Sequence, residues 1–169
     1  MNDSLPQVLP LGELGVAPVR ELLARYGLEL ELVPEDGPIP GSFWGAPEAG
    51  LRGDRLFATG NTPIHSVLHE ACHYICMDAG RRALLDTDAG GDFAEEDAVC
   101  YLQILLAELL PGAGSQRLMA DMDTWGYTFR LGSAHAWFAS DADDARQWLL
   151  RHNLISSAGI PTFLLRDGQ

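Results

Sequence analysis

The chain has 169 residues, with 24 acidic against 11 basic side chains, a net charge of −13 and a hydrophobic fraction of 47%. That length and composition suit one buried core, and the charge argues against nucleic-acid backbones and anionic membranes as partners, because like charges repel at long range. No apolar run reaches the roughly 18–20 residues that span a bilayer. The first fifteen residues have neither the basic nor the apolar region of a secretory signal, and three cysteines is an odd count that suits reduced thiols. The expectation is one soluble, cytoplasmic domain over residues 1–169.

In chain order, residues 1–10 read as an irregular arm. A helix is predicted over about 16–26, with Val19, Leu22, Leu23 and Tyr26 on one face and Gly27 as its stop. Residues 28–33 alternate apolar and acidic side chains, the pattern of a half-exposed strand. A Pro/Gly-rich loop follows, then short strand candidates at Ser42–Gly45 and Arg55–Thr59 around a turn near Gly53. Asn61, Thr62 and Pro63 predict a helix start, with the helix running to about Asp78. A polar loop to about Asp92 separates it from a second long helix, about 94–110, stopped by Pro111 and Gly112. A third helix is predicted over about 115–131, with Gly126 inside it as a bend or break. A fourth begins near Ser140 or Asp141 and turns Ala145, Trp148 and Leu149 inward. The tail from Ile155 reads as loop or short strand. Strands early and helices late make the class α+β.

The chemistry concentrates in His69-Glu70-Ala71-Cys72-His73. Residues four apart share one helical face, about 6 Å apart at Cβ, so two imidazoles converge on one ion. Glu70, rotated about 100° from His69, stands beside the pair. It reaches a water polarised by zinc without ligating the ion, the position of a general base. Cys72 and Cys76, also four apart, make a poor disulfide and a possible soft metal pair, or else buried small hydrophobes. A third ligand is required. The metzincin pattern fails, since position 76 is Cys and position 79 is Ala. Asp92, Glu95, Glu96 and Asp97 at the start of the second long helix are the better candidates, with His135 and His152 further downstream still open.

His69-Glu70-x-x-His73 followed by Glu95 or Glu96 opening the next helix resembles the gluzincin layout of zinc metallopeptidases, and most of all the compact minigluzincins. The resemblance covers about residues 55–110. It implies a zincin-like domain in which a short N-terminal mixed β-sheet packs on the active-site helix and further helices follow. It also implies one zinc ion, a glutamate ligand with a small residue three positions later, and an edge strand, here Arg55–Thr59, that pairs with a peptide or protein substrate. Glu95 has Ala98 at the small-residue place and Glu96 has Val99. The face Glu95, Ala98, Leu102, Leu105, Leu109 is apolar after its first member, whereas the face of Glu96 meets Gln103. That puts Glu95 ahead of Glu96, because a buried face should not carry an unpaired amide. The aspartate that many gluzincins place four residues beyond the ligand glutamate, to orient a zinc histidine, is missing: Val99 and Cys100 stand there. Asp78, Asp121 and Asp123 are candidates for the role.

Three further features stay open between chemistry and packing. His65 lies one turn before His69 and suits a proton shuttle or an oxyanion donor, or a helix-start histidine. Tyr127 and Arg130 are donors of the kind that stabilise a developing oxyanion, or members of a packed helix. Ser42–Gly45, with two aromatics, suits a cleft wall or an edge strand. The reading is a zinc hydrolase of the metallopeptidase kind, with His69, His73 and Glu95 (alternatively Glu96) on the metal and Glu70 as base. Its rivals are a non-catalytic zinc-binding regulatory protein and a metal-free interaction module. No oligomeric state follows.

Overall fold

The computed structural model describes residues 7–42, 45, 47–85 and 90–167. Helices α1 (Leu11–Leu14) and α2 (Val16–Ala24) precede strands β1 (Glu29–Leu32), β2 (Gly50–Arg52) and β3 (Arg55–Ala58). Six helices follow: α3 (Ile64–Cys76), α4 (Ala79–Ala83), α5 (Phe93–Ala107), α6 (Ser115–Trp125), α7 (Ala134–Ser140) and α8 (Asp143–Arg151). The architecture is α+β, with a small mixed sheet at the N-terminal side of the chain. No helix among the described residues is long and apolar enough to cross a membrane.

The sheet order is β1-β3-β2, with β1 parallel and β2 antiparallel to β3. Leu30, Leu51 and Leu56 lie in register across the three strands and are fully buried; alternation along each strand sends them to one face. β3 is therefore the central strand, paired on both sides, and is not the open edge the sequence suggested for substrate pairing. The edge beside it is β2, which was not foreseen as a strand. The outer side of β2 is itself covered: Leu51 N–H donates to the Gly41 carbonyl at 3.1 Å. A Cβ on Gly50 would run into the Pro40 carbonyl, so only glycine allows this approach. Of Ser42–Gly45, Phe43 and Trp44 lie outside the described residues.

α3 packs between β2 and β3 on one side and α5 on the other. That explains a helix buried almost all round, with Ile64, Val67, Leu68, Ala71, Cys72 and Ile75 essentially inaccessible. It starts one residue later than foreseen. Pro63 is the N-cap and its ring offers no acceptor to the first turn, while Thr62 Oγ1 accepts from the Thr59 N–H at 2.9 Å. α5 begins with Asp92 as a true cap, its carboxylate accepting from Glu95 N–H at 2.9 Å. α6 ends at Gly126, which adopts φ 116° and ψ 11°, so the predicted third helix breaks at its glycine. α8 buries Ala145, Trp148 and Leu149 as expected. α1 and α7 are short helices where the sequence predicts no element, and most of α4 falls in the predicted polar loop.

Candidate metal centre

α3 and α5 lie side by side, and the polar residues on their shared face meet. His69 and His73, one turn apart, hold their rings edge to face with centroids 4.7 Å apart. Facing them from the first turn of α5 is the Glu96 carboxylate. One oxygen lies 3.2 Å from His69 Nε2 and the other 3.3 Å from His73 Nε2. Burial works against ionisation of Glu96, but its hydrogen bond to His69 and the charges of His69 and His73 hold its carboxyl below the ordinary range.

Glu95 does something else. It is buried and accepts from Arg81 at 3.0 and 2.5 Å and from Arg166 Nη1 at 3.2 Å. Its carboxylate is committed to two guanidiniums, and the expectation that it faces the histidines is not met. The argument against Glu96 failed at Gln103. That amide is buried but not unpaired: its Oε1 accepts from His69 Nδ1 at 2.6 Å and its Nε2 donates to the His65 carbonyl at 3.1 Å. Glu96, Cys100 and Gln103 stand at i, i+4 and i+7, one stripe of α5. Gln103 occupies the orienting position that the sequence offered to aspartates. Asp78 instead caps α4 and pairs with Arg81, Asp121 holds Arg117 and the Leu9 N–H, and Asp123 accepts from Ala134 N–H.

This donor set fits a divalent cation. With His69 Nδ1–H donating to Gln103, Nε2 is the atom turned to Glu96: protonated it donates to the carboxylate, and with that proton displaced its lone pair and the carboxylate oxygen suit a cation placed between them. Ligands held tetrahedrally at about 2.0–2.1 Å from zinc lie about 3.3 Å from one another, close to both contacts. Cys100 is near: one ligand atom each from His69, Glu96 and Cys100 lie within 4.8 Å of one another. Burial pushes the Cys100 thiol up. Burial raises Cys72 and Cys76 as well, and among the described residues neither joins a group of possible ligands. His135 is exposed and the His152 ring packs tilted against Trp148, centroids 4.3 Å apart; among the described residues neither belongs to this group.

A cavity of about 390 Å³ opens beside the centre, lined by Glu48, Ser66, His69, Glu70, Glu96, Trp125, Gly126 and Tyr127. Loss of solvent, with the Glu48 and Glu96 charges added and the His69 charge opposing, raises the Glu70 carboxyl to about 7. Tyr127 reaches the cavity because Gly126 turns the chain back at the end of α6, and its hydroxyl lies 3.1 Å from His65 Nδ1. Burial pushes the phenol up, so it stays a neutral donor. His65 is buried, and its imidazole is held down to about 3 by desolvation and the neighbouring His69. Arg130 does not line this cavity; it is exposed and bidentate to Asp141. Asp97 lines a different cavity, with Arg130 and Trp137.

Glu48, Ser66 and Trp125 carry no site role in the sequence reading, and Gln103 enters it only as an amide counted against Glu96. Gln103 was detectable in principle, seven residues from Glu96 on one helical stripe; Glu48 sits in a turn with no local pattern. The fold is α+β, and among the described residues the group that could hold a metal ion is His69, Glu96 and Cys100, with His73 Nε2 3.3 Å from the same Glu96 carboxylate. No family model matches the chain, and no curated protein and no solved structure matches it.

Proposed function

We propose that this chain is a zinc-dependent hydrolase of the metallopeptidase kind, with a zincin-like arrangement in which His69, His73 and Glu96 hold the ion. The observation that carries the reading is the single Glu96 carboxylate set 3.2 and 3.3 Å from the two imidazoles of an H-E-x-x-H helix. Zinc bound there would supply Lewis-acid polarisation of a water and of a carbonyl oxygen. Glu70 lines the same cavity, off the ligand set, where a carboxylate can accept a proton from a water. The Tyr127 hydroxyl donates towards the oxygen on which charge develops. Gln103 fixes the His69 tautomer. Peptides or proteins are the proposed substrates, and the cytoplasm is the proposed setting.

The test is metal analysis followed by a peptide-library digest read by mass spectrometry. Purified protein is expected to hold about one zinc per chain. Glu70→Gln keeps that zinc and lowers hydrolysis by about 10²–10⁴-fold. Equal cleavage by variant and parent would remove Glu70 from the base role.

The nearness of Cys100 favours a second reading, a non-catalytic site closed by four protein donors. Cobalt substitution separates the two. Under the hydrolase reading, Cys100→Ser retains the metal and the parent shows no thiolate-to-cobalt charge-transfer band. A band in the parent, with metal loss in the variant, establishes the closed site instead.

A further inference from the structure

We infer that Glu48 makes the cleft select a substrate bearing a cationic nitrogen, an ammonium or a guanidinium, next to the bond that is cleaved. The inference rests on the hydrolase reading for cleavage, though not for binding.

Glu48 lies in the turn before β2 and lines the same cavity as His69, Glu70 and Glu96. Ser66 Oγ donates to its Oε1 at 2.9 Å and Trp125 Nε1 donates to its Oε2 at 2.7 Å. Ser66 is itself fixed by accepting from the Ala49 N–H at 2.9 Å. Three elements therefore set the position of one carboxylate. Both donors are neutral, so they orient the charge without cancelling it, and each oxygen keeps a further lone pair. Glu48 has no ion-pair partner among the described residues. The 11 basic residues of the chain are all arginines at described positions, and none lines this cavity.

The other two carboxylates of the cavity have separate roles in the hydrolase reading: Glu96 faces the histidines and Glu70 takes the proton. Glu48 alone is left over. Its neighbours on the wall are Trp125 and Tyr127, aromatic faces that attract a cation through the ring quadrupole. A fixed, uncancelled carboxylate between aromatic walls is a receptor for a cationic nitrogen, and the net charge of −13 adds steering from a distance. A neutral or acidic side chain brought here would leave that charge unanswered.

The experiment measures binding of small hydroxamates, which anchor on zinc, to the full-length protein. N-acetyl-lysine, free-amine norleucine and N-acetyl-norleucine hydroxamates differ in whether the cation sits on the side chain, on the α-nitrogen or nowhere. One of the two cationic probes is expected to bind at least about ten-fold more tightly than the neutral one, which also identifies the source of the nitrogen. The gap closes in Glu48→Gln. Equal binding of all three to the wild type, or a gap that survives in Glu48→Gln, overturns the proposal. If Glu48→Gln does not fold, the wild type decides, since the gap must shrink between about 0.05 and 1 M salt, and a salt-independent gap overturns it. If no hydroxamate binds because no zinc is held, the hydrolase reading falls and argininamide, which needs no metal, becomes the probe. Movement of the Trp125 indole N–H resonance on titration then supports the cation site, and its absence overturns it.

Discussion

At the scale of the residue, neighbouring glutamates at the start of α5 divide the labour. Glu96 faces the two imidazoles, and Glu95 binds two arginines in a buried network. Their conservative variants are therefore expected to fail in opposite ways. Glu96→Gln should lose most of the zinc while melting near the temperature of the metal-free parent, because its side chain is half exposed. Glu95→Gln should keep the zinc and lose stability by about 2–4 kcal/mol, since breaking a buried pair strands its partners and Arg81 is partly solvated. Metal content and denaturant midpoints of the two variants check this, and metal loss from Glu95→Gln alone would reverse the assignment. The sequence made His69, Glu70 and His73 legible because helical spacing alone brings them together. It could not choose between Glu95 and Glu96, since that choice depends on Arg81, Arg166 and Gln103, and the Arg166–Glu95 contact alone crosses 71 positions of chain.

At the scale of the element, the long helices were legible and the short ones were not. α3, α5 and α8 carry apolar faces sustained over two or more turns, and α5 has a capping aspartate. α4 and α7 span five and seven residues, too short for a period to emerge, and are held by side-chain caps at Asp78 and Ser133. β2 has only three residues and is set by pairing with β3. Gly126 is where local sequence mattered most. Its left-handed conformation ends α6, with its own N–H and that of Tyr127 bonded back to Met122 O, and so places the Tyr127 hydroxyl in the cleft. Gly126→Ala is expected to cost about 1 kcal/mol. It should lower turnover more than zinc content, because Tyr127 is displaced and the ligands are not. Equal loss of both would tie Gly126 to the scaffold and not to the cleft.

At the scale of the whole molecule, His65 links the core to pH. Its neighbours are Tyr127, Trp125, His69 and Gln103, none of them an anion at neutral pH, so the imidazole stays neutral when folded, down to about 3. The unfolded chain protonates it near 6.5. Between those values the unfolded state binds more protons, so stability falls as pH falls. From pH 7 to 5 the loss due to His65 is about 2 kcal/mol, and His65→Gln should be flatter by that amount in urea melts of metal-free protein. An unchanged slope would mean that His65 is charged when folded. The packing also imposes an order of events. Arg166 donates its backbone N–H to the Ile75 carbonyl and its guanidinium to the Cys76 carbonyl and Glu95, while Arg82 donates to the carbonyls of Tyr74, Met77 and Arg166. The end of the histidine helix and the start of the glutamate helix are thus joined by a residue made 90 positions after Cys76. On a ribosome, His69, His73 and Glu96 emerge well before the arginine that locks their helices together. Vectorial synthesis leaves a window in which the two helices are made but not yet joined, and Arg166 closes it.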